Sequence, residues 1–204
     1  LIVDIGSNDG IGIKYFNQQK INVIGVEPAK NLAALSNSNG INTINSYFTE
    51  EVVDKIISEN GYADLVLGSN VFAHSDDLYS IAKNALRLLK ENGTFIIEVQ
   101  YFVENLKNGD FDNIYHEHFN YWNLHSLKTF FDKLKYRISK VEKIDTHGGS
   151  IRVFINKNKT VNDKSVEKFL SEEKDFGIQN YKELNLYSEK IIQKRDQALK
   201  KIID

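Results

Sequence analysis

Short apolar runs alternate with amphipathic stretches through the first half of the chain, and this alternation restricts the possible folds more than any other feature. The apolar runs lie at 1–5, 21–26, 41–45 and 63–68. Helical periodicity follows each run, first around Ile13 and then over 30–38, 49–59 and 76–90. Strands that are apolar on both faces and joined by helices are typical of a parallel sheet with right-handed crossovers. The sequence therefore predicts an α/β domain.

The second half of the chain departs from this alternation. A fifth strand over 94–97 precedes a polar, aromatic and histidine-rich segment over 100–125, and a helix is predicted over 124–134. Two further strands, over 138–144 and 151–155, are expected to form a hairpin. Together the strands make a mostly parallel seven-stranded sheet whose last strand is antiparallel, with helices on both faces.

The chain is expected to contain one core domain followed by a pair of helices. Residues 1–160 form the predicted core, and helical periodicity over 161–204 predicts the C-terminal helices, which lead toward a part of the protein outside this sequence. The chain has no methionine and begins within an apolar run. We therefore expect it to be a fragment of a longer protein.

The balance of charge and the absence of cysteine exclude several classes of protein. Lys and Arg number 26 against 28 Asp and Glu, so the net charge is about −2 and offers no strong field for nucleic acid or an anionic membrane. No apolar run approaches the roughly 20 residues that span a bilayer. Without cysteine the chain has no disulfide, thiolate nucleophile or cysteine-bound zinc. We expect a cytoplasmic protein that acts on a small molecule and binds neither nucleic acid nor membrane.

A glycine-containing turn and an acidic strand end mark a candidate cofactor site. The predicted cofactor-binding residues here are Asp4, Gly6, Ser7, Asn8 and Gly10 in the first turn, and Glu27 at the end of the second strand. Glycines let the backbone approach a ligand closely. A carboxylate at the end of the second strand can accept hydrogen bonds from both hydroxyls of a ribose. The two features predict an adenosine-containing cofactor.

Asn8 helps to identify that cofactor. It stands where the dinucleotide fingerprint G-x-G-x-x-G has its second glycine, which disfavours a pyrophosphate group. Asp4 and Glu27 together resemble the class I S-adenosylmethionine (SAM) methyltransferases, whose cofactor carries a sulfonium and an amino group. SAM is therefore the predicted cofactor, and a Rossmann-like class I methyltransferase is the predicted fold. A tight strand–helix turn without a ligand is the alternative.

Four of the five histidines fall in three short clusters that follow or adjoin strand ends. The clusters are Asn70-Val71-Phe72-Ala73-His74, Tyr115-His116-Glu117-His118 and His147-Gly148-Gly149-Ser150-Ile151-Arg152. All three are expected to lie along the same edge of the sheet, where ligands of such folds bind.

Together with Glu98 at the end of the fifth strand, the three clusters closely resemble the sugar C-methyltransferases that act on nucleotide-linked 4-keto-6-deoxyhexoses. The resemblance extends from Leu1 to about Phe154. It implies that a base removes the proton next to the ketone and that the resulting enolate attacks the methyl group of SAM. A neutral histidine suits the first task near pH 7, and hydrogen-bond donors suit the enolate oxygen.

The family pattern also implies roles for individual residues. His118 is the implied base, and Tyr115 and Glu117 position the sugar or stabilise the developing oxyanion. Asn70 is assigned to the cofactor. The residues assigned to the substrate are His74, Glu98, His116, His147, Ser150 and Arg152.

Other interpretations of these residues remain open. His118 is otherwise a buried histidine with satisfied hydrogen bonds, His116 an ordinary loop residue, and Arg152 an anchor of the hairpin. His116 and His118 also suggest a metal pair, but zinc needs a third ligand and the H-E-x-x-H spacing is absent, so no metal is expected. His125, in the helix that follows, is expected to be structural.

Three other functions compete with sugar C-methylation. A SAM-dependent O-methyltransferase keeps the fold and changes the acceptor. A nicotinamide-dependent oxidoreductase is disfavoured by Asn8, and a binding module without catalysis has no need of Tyr115, Glu117 and His118 together. Members of the resembled family carry a zinc domain before this core and an α/β domain after it, so a fragment of this extent is expected to bind SAM but to have little activity.

Overall fold

A computed structural model of the chain describes residues 1–110, 112–157 and 163–203. Seven strands form one sheet in the order β3-β2-β1-β4-β5-β7-β6. They are β1 (Ile2–Ile5), β2 (Val23–Val26), β3 (Thr43–Ile44), β4 (Ala63–Ser69), β5 (Leu89–Gln100), β6 (Arg137–Ile144) and β7 (Ser150–Asn156). The helices are α1 (Ile11–Gln18), α2 (Lys30–Ser38), α3 (Glu50–Asn60), α4 (Val71–His74), α5 (Leu78–Leu88), α6 (Phe102–Asn108), α7 (Leu124–Lys133), α8 (Lys164–Phe176) and α9 (Tyr181–Ile203).

The pairing of the strands confirms the predicted fold class. β7 runs antiparallel to both of its neighbours, β5 and β6, and the other adjacent strands are parallel. Every residue of β1 and β2 is buried, which explains why these strands are almost continuously apolar in the sequence. The parallel strands all end at one edge of the sheet, and the segments that follow them meet there.

Long-range pairing moves two element boundaries away from their predicted positions. The predicted helix 76–90 ends at Leu88, because Leu89 is already fully buried and pairs with Ala63. β5 consequently begins five residues before the predicted strand 94–97. β3, in contrast, contains only Thr43 and Ile44.

Two short helices, α4 and α6, follow strand ends and were not predicted. Each is shorter than two full helical repeats, too short for its periodicity to be read from the sequence alone. α4 contains the fully buried Phe72, and α6 contains the buried Val103. Both helices carry the chain away from the sheet edge and shape the space above it.

The C-terminal part of the chain contains α8 and α9. The predicted domain boundary between residues 160 and 161 lies outside the described residues. α8 lies against the core, where Phe169 is buried and the Ser165 hydroxyl accepts a hydrogen bond from the backbone N–H of Val141. α9 is largely exposed. In the described part of the chain, no helix has the length and apolar character needed to cross a membrane.

Gly10, which precedes α1, is expected to tolerate no side chain. A Cβ added there would lie 2.5 Å from Ser36 Oγ and 2.6 Å from Ile41 Cδ1, both buried. Gly40 has a similar positive φ, 79° against 83°, but a Cβ there would meet nothing within 4 Å. Gly10→Ala should therefore lower the free energy of unfolding by about 1–3 kcal/mol more than Gly40→Ala, measured by urea denaturation. Equal losses would show that only backbone strain matters at Gly10.

Candidate active site

Two cavities open at the carboxyl edge of the sheet and meet at two shared residues. The first cavity has a volume of about 750 Å³ and adjoins the ends of β1, β2 and β4. The second cavity has a volume of about 420 Å³ and lies between the ends of β4 and β5, residue 110 and residues 112–118. Asn70 and His74 line both cavities. Ligands held in the two cavities would therefore approach each other at these residues.

Glu27 is fixed in the wall of the first cavity by backbone groups. Its Oε2 accepts a hydrogen bond of 2.9 Å from the N–H of Asn8, and its Oε1 accepts one of 2.8 Å from the N–H of Ala29. Asn8 adopts a left-handed conformation with φ of 54°, which asparagine tolerates better than most residues. Each carboxylate oxygen retains acceptor capacity, so Glu27 can still bind the hydroxyls of a ligand.

Behind this wall, Asp4 and Ser7 are buried polar residues. Burial, and then the nearby carboxylate of Glu27, raises the pKa of Asp4 to about 7. The hydroxyl oxygen of Ser7 has no hydrogen-bond partner among the described residues. A cationic, hydrogen-bonding ligand such as SAM fits this neighbourhood, because it would stabilise the acidic groups and offer donors.

The first cavity contains some of the predicted cofactor residues but not all. Gly6, Glu27 and Asn70 line it. The predicted residues that are not among its lining are Asp4, Ser7, Asn8 and Gly10. Asn8 still acts on the cavity, through the hydrogen bond that it donates to Glu27.

The loop after β3 supplies two lining residues that the sequence analysis missed. Tyr47 is exposed at the cavity, and Phe48 is buried beside it. The signal that could have found them is topological, since the third strand ends at the same edge as the first two. Carboxylates also surround the first cavity: Glu27, Glu50, Glu51, Asp76 and Asp77.

His118 in the second cavity is oriented by two hydrogen bonds. Its Nδ1 donates to the backbone carbonyl of Asn113 at 3.0 Å. Because a carbonyl can only accept, the proton of the neutral ring is on Nδ1 and the lone pair is on Nε2. The hydroxyl of Tyr115 donates to this Nε2 at 3.2 Å. The two hydrogen bonds thus fix the orientation of the ring, with Nε2 toward the Tyr115 hydroxyl.

His74 stands beside that ring, and His147 lines the same cavity. His74 Nδ1 donates to the carbonyl of Glu117 at 3.0 Å, and the rings of His74 and His118 have centroids 4.8 Å apart. His147 Nε2 accepts from the side-chain amide of Asn70 at 3.4 Å. Both Asn70 and His147 have positive φ, a strained conformation that is concentrated at functional sites.

In the cluster Tyr115-His116-Glu117-His118, two side chains point away from the second cavity. The side chain of His116 is 88% exposed and that of Glu117 is 62% exposed, and neither residue lines the second cavity. His116 Nε2 lies 3.8 Å from a carboxylate oxygen of Glu117. The predicted substrate role of His116 stays a prediction, and its position is that of the loop residue considered as the alternative.

Three predicted substrate residues instead hold the strand ends together. Arg152 donates to Glu98 at 3.0 Å across the pairing of β5 with β7, and also lies 3.9 Å from Glu142. The hydroxyl of the fully buried Ser150 donates to the carbonyl of Thr146 at 3.0 Å. None of the three lines either cavity. The contacts of Arg152 match the alternative interpretation, in which it anchors the hairpin.

No metal site is found among residues 1–110, 112–157 and 163–203, which contain no group of three or more His, Cys, Asp or Glu placed to hold an ion. His125 is exposed and lies outside both cavities. Its backbone N–H donates to Glu173 on α8.

The strand order and the carboxylate at the end of β2 are those of the class I SAM-dependent methyltransferase fold. Residues 2–141 match the methyltransferase domain family, and residues 145–204 match the C-methyltransferase C-terminal domain. The chain therefore belongs to the methyltransferase domain family and continues into the domain that is characteristic of C-methyltransferases.

A curated relative supports this assignment. The C-methyltransferase NovU of Streptomyces niveus is 42% identical over 180 residues, which cover 87% of this chain and 43% of NovU. The chain thus spans less than half the length of that relative. The match supports the predicted resemblance to C-methyltransferases.

Solved structures share the fold at low sequence identity. Magnesium protoporphyrin IX methyltransferase from Synechocystis PCC 6803, with bound S-adenosylhomocysteine (SAH), matches with a TM-score of 0.61 and 10% identity over 78% of this chain and 74% of that chain. A possible histamine N-methyltransferase from Thermotoga maritima matches with a TM-score of 0.56 and 17% identity over 77% of this chain and 81% of that chain. These likenesses confirm the fold class.

Proposed function

We propose that this chain is the catalytic core of a SAM-dependent C-methyltransferase that methylates the carbon next to the ketone of a nucleotide-linked 4-keto-deoxysugar. SAM would occupy the first cavity and the sugar the second. The observation that carries the proposal is the meeting of the two cavities at Asn70 and His74, beside the ring of His118.

The cofactor residues follow from the first cavity. Glu27 would accept hydrogen bonds from the ribose hydroxyls, and Tyr47 and Phe48 provide aromatic surface nearby. The carboxylates around the cavity favour a cationic ligand. When bound, SAM supplies an electrophilic methyl group.

His118 would remove the proton from the acceptor carbon. Its Nε2, which accepts from the Tyr115 hydroxyl, would take the proton once that hydroxyl turns away, and the Asn113 carbonyl that accepts from Nδ1 favours the resulting imidazolium. Tyr115, whose hydroxyl donates to His118, would turn that hydroxyl to the enolate oxygen and stabilise it. Glu117 acts on the site through its carbonyl, which orients His74, while a role for its exposed carboxylate stays a prediction.

The second cavity suits a hydroxyl-rich acceptor. Gln100, Asp110, Asp112 and Asn113 line it and provide both donors and acceptors of hydrogen bonds. The identity of NovU as a C-methyltransferase supports carbon as the methylated atom.

An exchange experiment tests the proposal against O-methylation. The protein, SAH and a nucleotide-linked 4-keto-6-deoxyhexose are mixed in deuterated buffer, and the proton next to the ketone is followed by NMR. C-methylation requires exchange at that carbon well above the rate without protein. Methyl transfer from SAM without such exchange would favour the O-methyltransferase instead.

Removal of the Glu27 carboxylate should weaken cofactor binding. Glu27→Ala loses two ribose hydrogen bonds and the anchor of the Asn8 loop, so SAH affinity should fall by at least about tenfold in calorimetric titration. Glu59→Ala, which removes an exposed carboxylate on α3, is the matched control and should bind normally. Unchanged affinity in Glu27→Ala, or saturable binding of NADH to the unmodified protein, would contradict the assigned cofactor site.

A further inference from the structure

Glu173 is a buried carboxylate that joins the two ends of the segment 102–123, which carries the proposed base. It lies on α8 and is fully enclosed. Its Oε1 accepts hydrogen bonds from the hydroxyl of Tyr101, at 3.0 Å, and from the backbone N–H of Leu124. Its Oε2 accepts from the backbone N–H of His125 at 2.9 Å. One side chain therefore contacts the residue before the segment and the two residues after it.

The two ends of the segment already lie side by side. The N–H of Phe102 donates to the carbonyl of Trp122 at 2.9 Å, and Tyr101 forms an isolated parallel bridge with Trp122. The indole of Trp122 in turn donates to the carbonyl of Phe72 at 2.9 Å, which ties this end to α4. Residues 101–102 and 122–125 thus form a narrow stem at the base of the segment, and Glu173 closes the stem from outside.

The electrostatics of the stem suit a carboxylate. Leu124 and His125 begin α7, and the N–H groups of a first helical turn have no partner within the helix. A negative charge at this position satisfies them and interacts favourably with the helix dipole. Burial, followed by the charge of Glu173, raises the pKa of Tyr101 above its usual value, so its hydroxyl remains a hydrogen-bond donor.

We infer that Glu173 is a positioning residue for the proposed reaction. By fixing the distance between Tyr101 and the start of α7, Glu173 sets the position of the segment 102–123, and with it the positions of Tyr115 and His118 relative to the first cavity. The inference rests on the proposed function. It also gives a functional reason for the hydrogen bonds between the core and α8, which belongs to the part of the chain matching the C-methyltransferase C-terminal domain.

The test compares two neighbouring substitutions on α8. Glu173→Gln puts an NH2 group opposite donors, so the three hydrogen bonds can no longer be made together. Glu172→Gln is the matched control, because Glu172 is exposed and pairs only distantly with Lys168, at 3.8 Å. The first readout is the tautomer of His118, observed by 15N NMR on the protein without substrate. The second is the proton-exchange rate with the keto-sugar, and the third is SAH affinity.

Glu173→Gln is expected to convert His118 from the Nδ1–H tautomer to a mixture of tautomers. Proton exchange should slow by about 10- to 100-fold, because small displacements of a reacting group are costly, while SAH affinity changes by less than about twofold. Glu172→Gln should match the unmodified protein in all three readouts. If folded Glu173→Gln keeps the tautomer and the exchange rate of the control, Glu173 has no positioning role.

If Glu173→Gln does not fold, Tyr101→Phe provides a second test of the positioning role of Glu173. It preserves the carboxylate and both backbone hydrogen bonds and removes one donor, so a smaller shift in the same His118 signal and a several-fold slower exchange are expected. No shift in Tyr101→Phe would then overturn the inference. Should neither this chain nor the longer protein expected to contain it exchange substrate protons, the proposed function fails, yet the His118 tautomer still decides the role of Glu173.

Discussion

His118→Asn is expected to slow proton exchange next to the ketone by about 10²- to 10⁴-fold, the usual contribution of a general base. Asparagine retains a hydrogen-bonding side chain but has no group that accepts a proton near pH 7. Binding of SAH should stay within about twofold, because His118 does not line the first cavity. The rate is measured by NMR in deuterated buffer, at a temperature where both proteins are folded.

The matched control for this experiment is His125→Asn. His125 is exposed, lies outside both cavities and contributes only its backbone N–H to the stem described above. Its substitution should leave the exchange rate unchanged. Comparable losses in the two variants, or a His118→Asn protein that exchanges at the normal rate, would remove His118 from the role of base.

Asp4→Asn is expected to stabilise the protein increasingly as the pH rises from about 4 to about 7. The pKa of Asp4 is raised to about 7 in the folded protein, against 3.8 for a free side chain. The folded state therefore binds the proton more tightly than the unfolded state, and the free energy of unfolding falls with pH across this window. Above pH 7 the buried charge costs up to about 4 kcal/mol, which asparagine would avoid.

Urea denaturation at pH 4, 5.5 and 8 measures this difference. Asp4→Asn and the unmodified protein should have similar stability at pH 4 and diverge steadily toward pH 8. Asp175→Asn, which changes an exposed carboxylate on α8, should show the same pH dependence of the free energy of unfolding as the unmodified protein. A constant difference between Asp4→Asn and the unmodified protein at every pH would show that folding leaves the pKa of Asp4 unchanged.

Most of the fold could be predicted from sequence because the parallel strands are buried on both faces. Burial at every position makes β1 and β2 continuously apolar, and that pattern is local. The early start of β5 could not be predicted, because Leu89 becomes a strand residue only by pairing with Ala63, which is distant in the chain.

The candidate site was predictable to a similar extent. Clusters at strand ends predicted the meeting of Asn70, His74 and His118, since topology alone brings these ends together. The ion pair between Glu98 and Arg152 depends on the register of β7, which the residue types do not specify. Nothing in the sequence distinguishes Glu173 from the other acidic residues of α8, because only the structure shows that its side chain is buried.

The position of β7 determines when the sheet can be completed during synthesis. β7 lies between β5 and β6, both of which precede it in the chain. A nascent chain that has reached Ile144 but not Asn156 therefore carries an open edge on β5 and a β6 strand with no neighbour to pair with. Open edges of this kind promote pairing with other chains. Efficient folding on the ribosome thus requires prompt emergence of the last strand, and a pause between these two residues would favour aggregation.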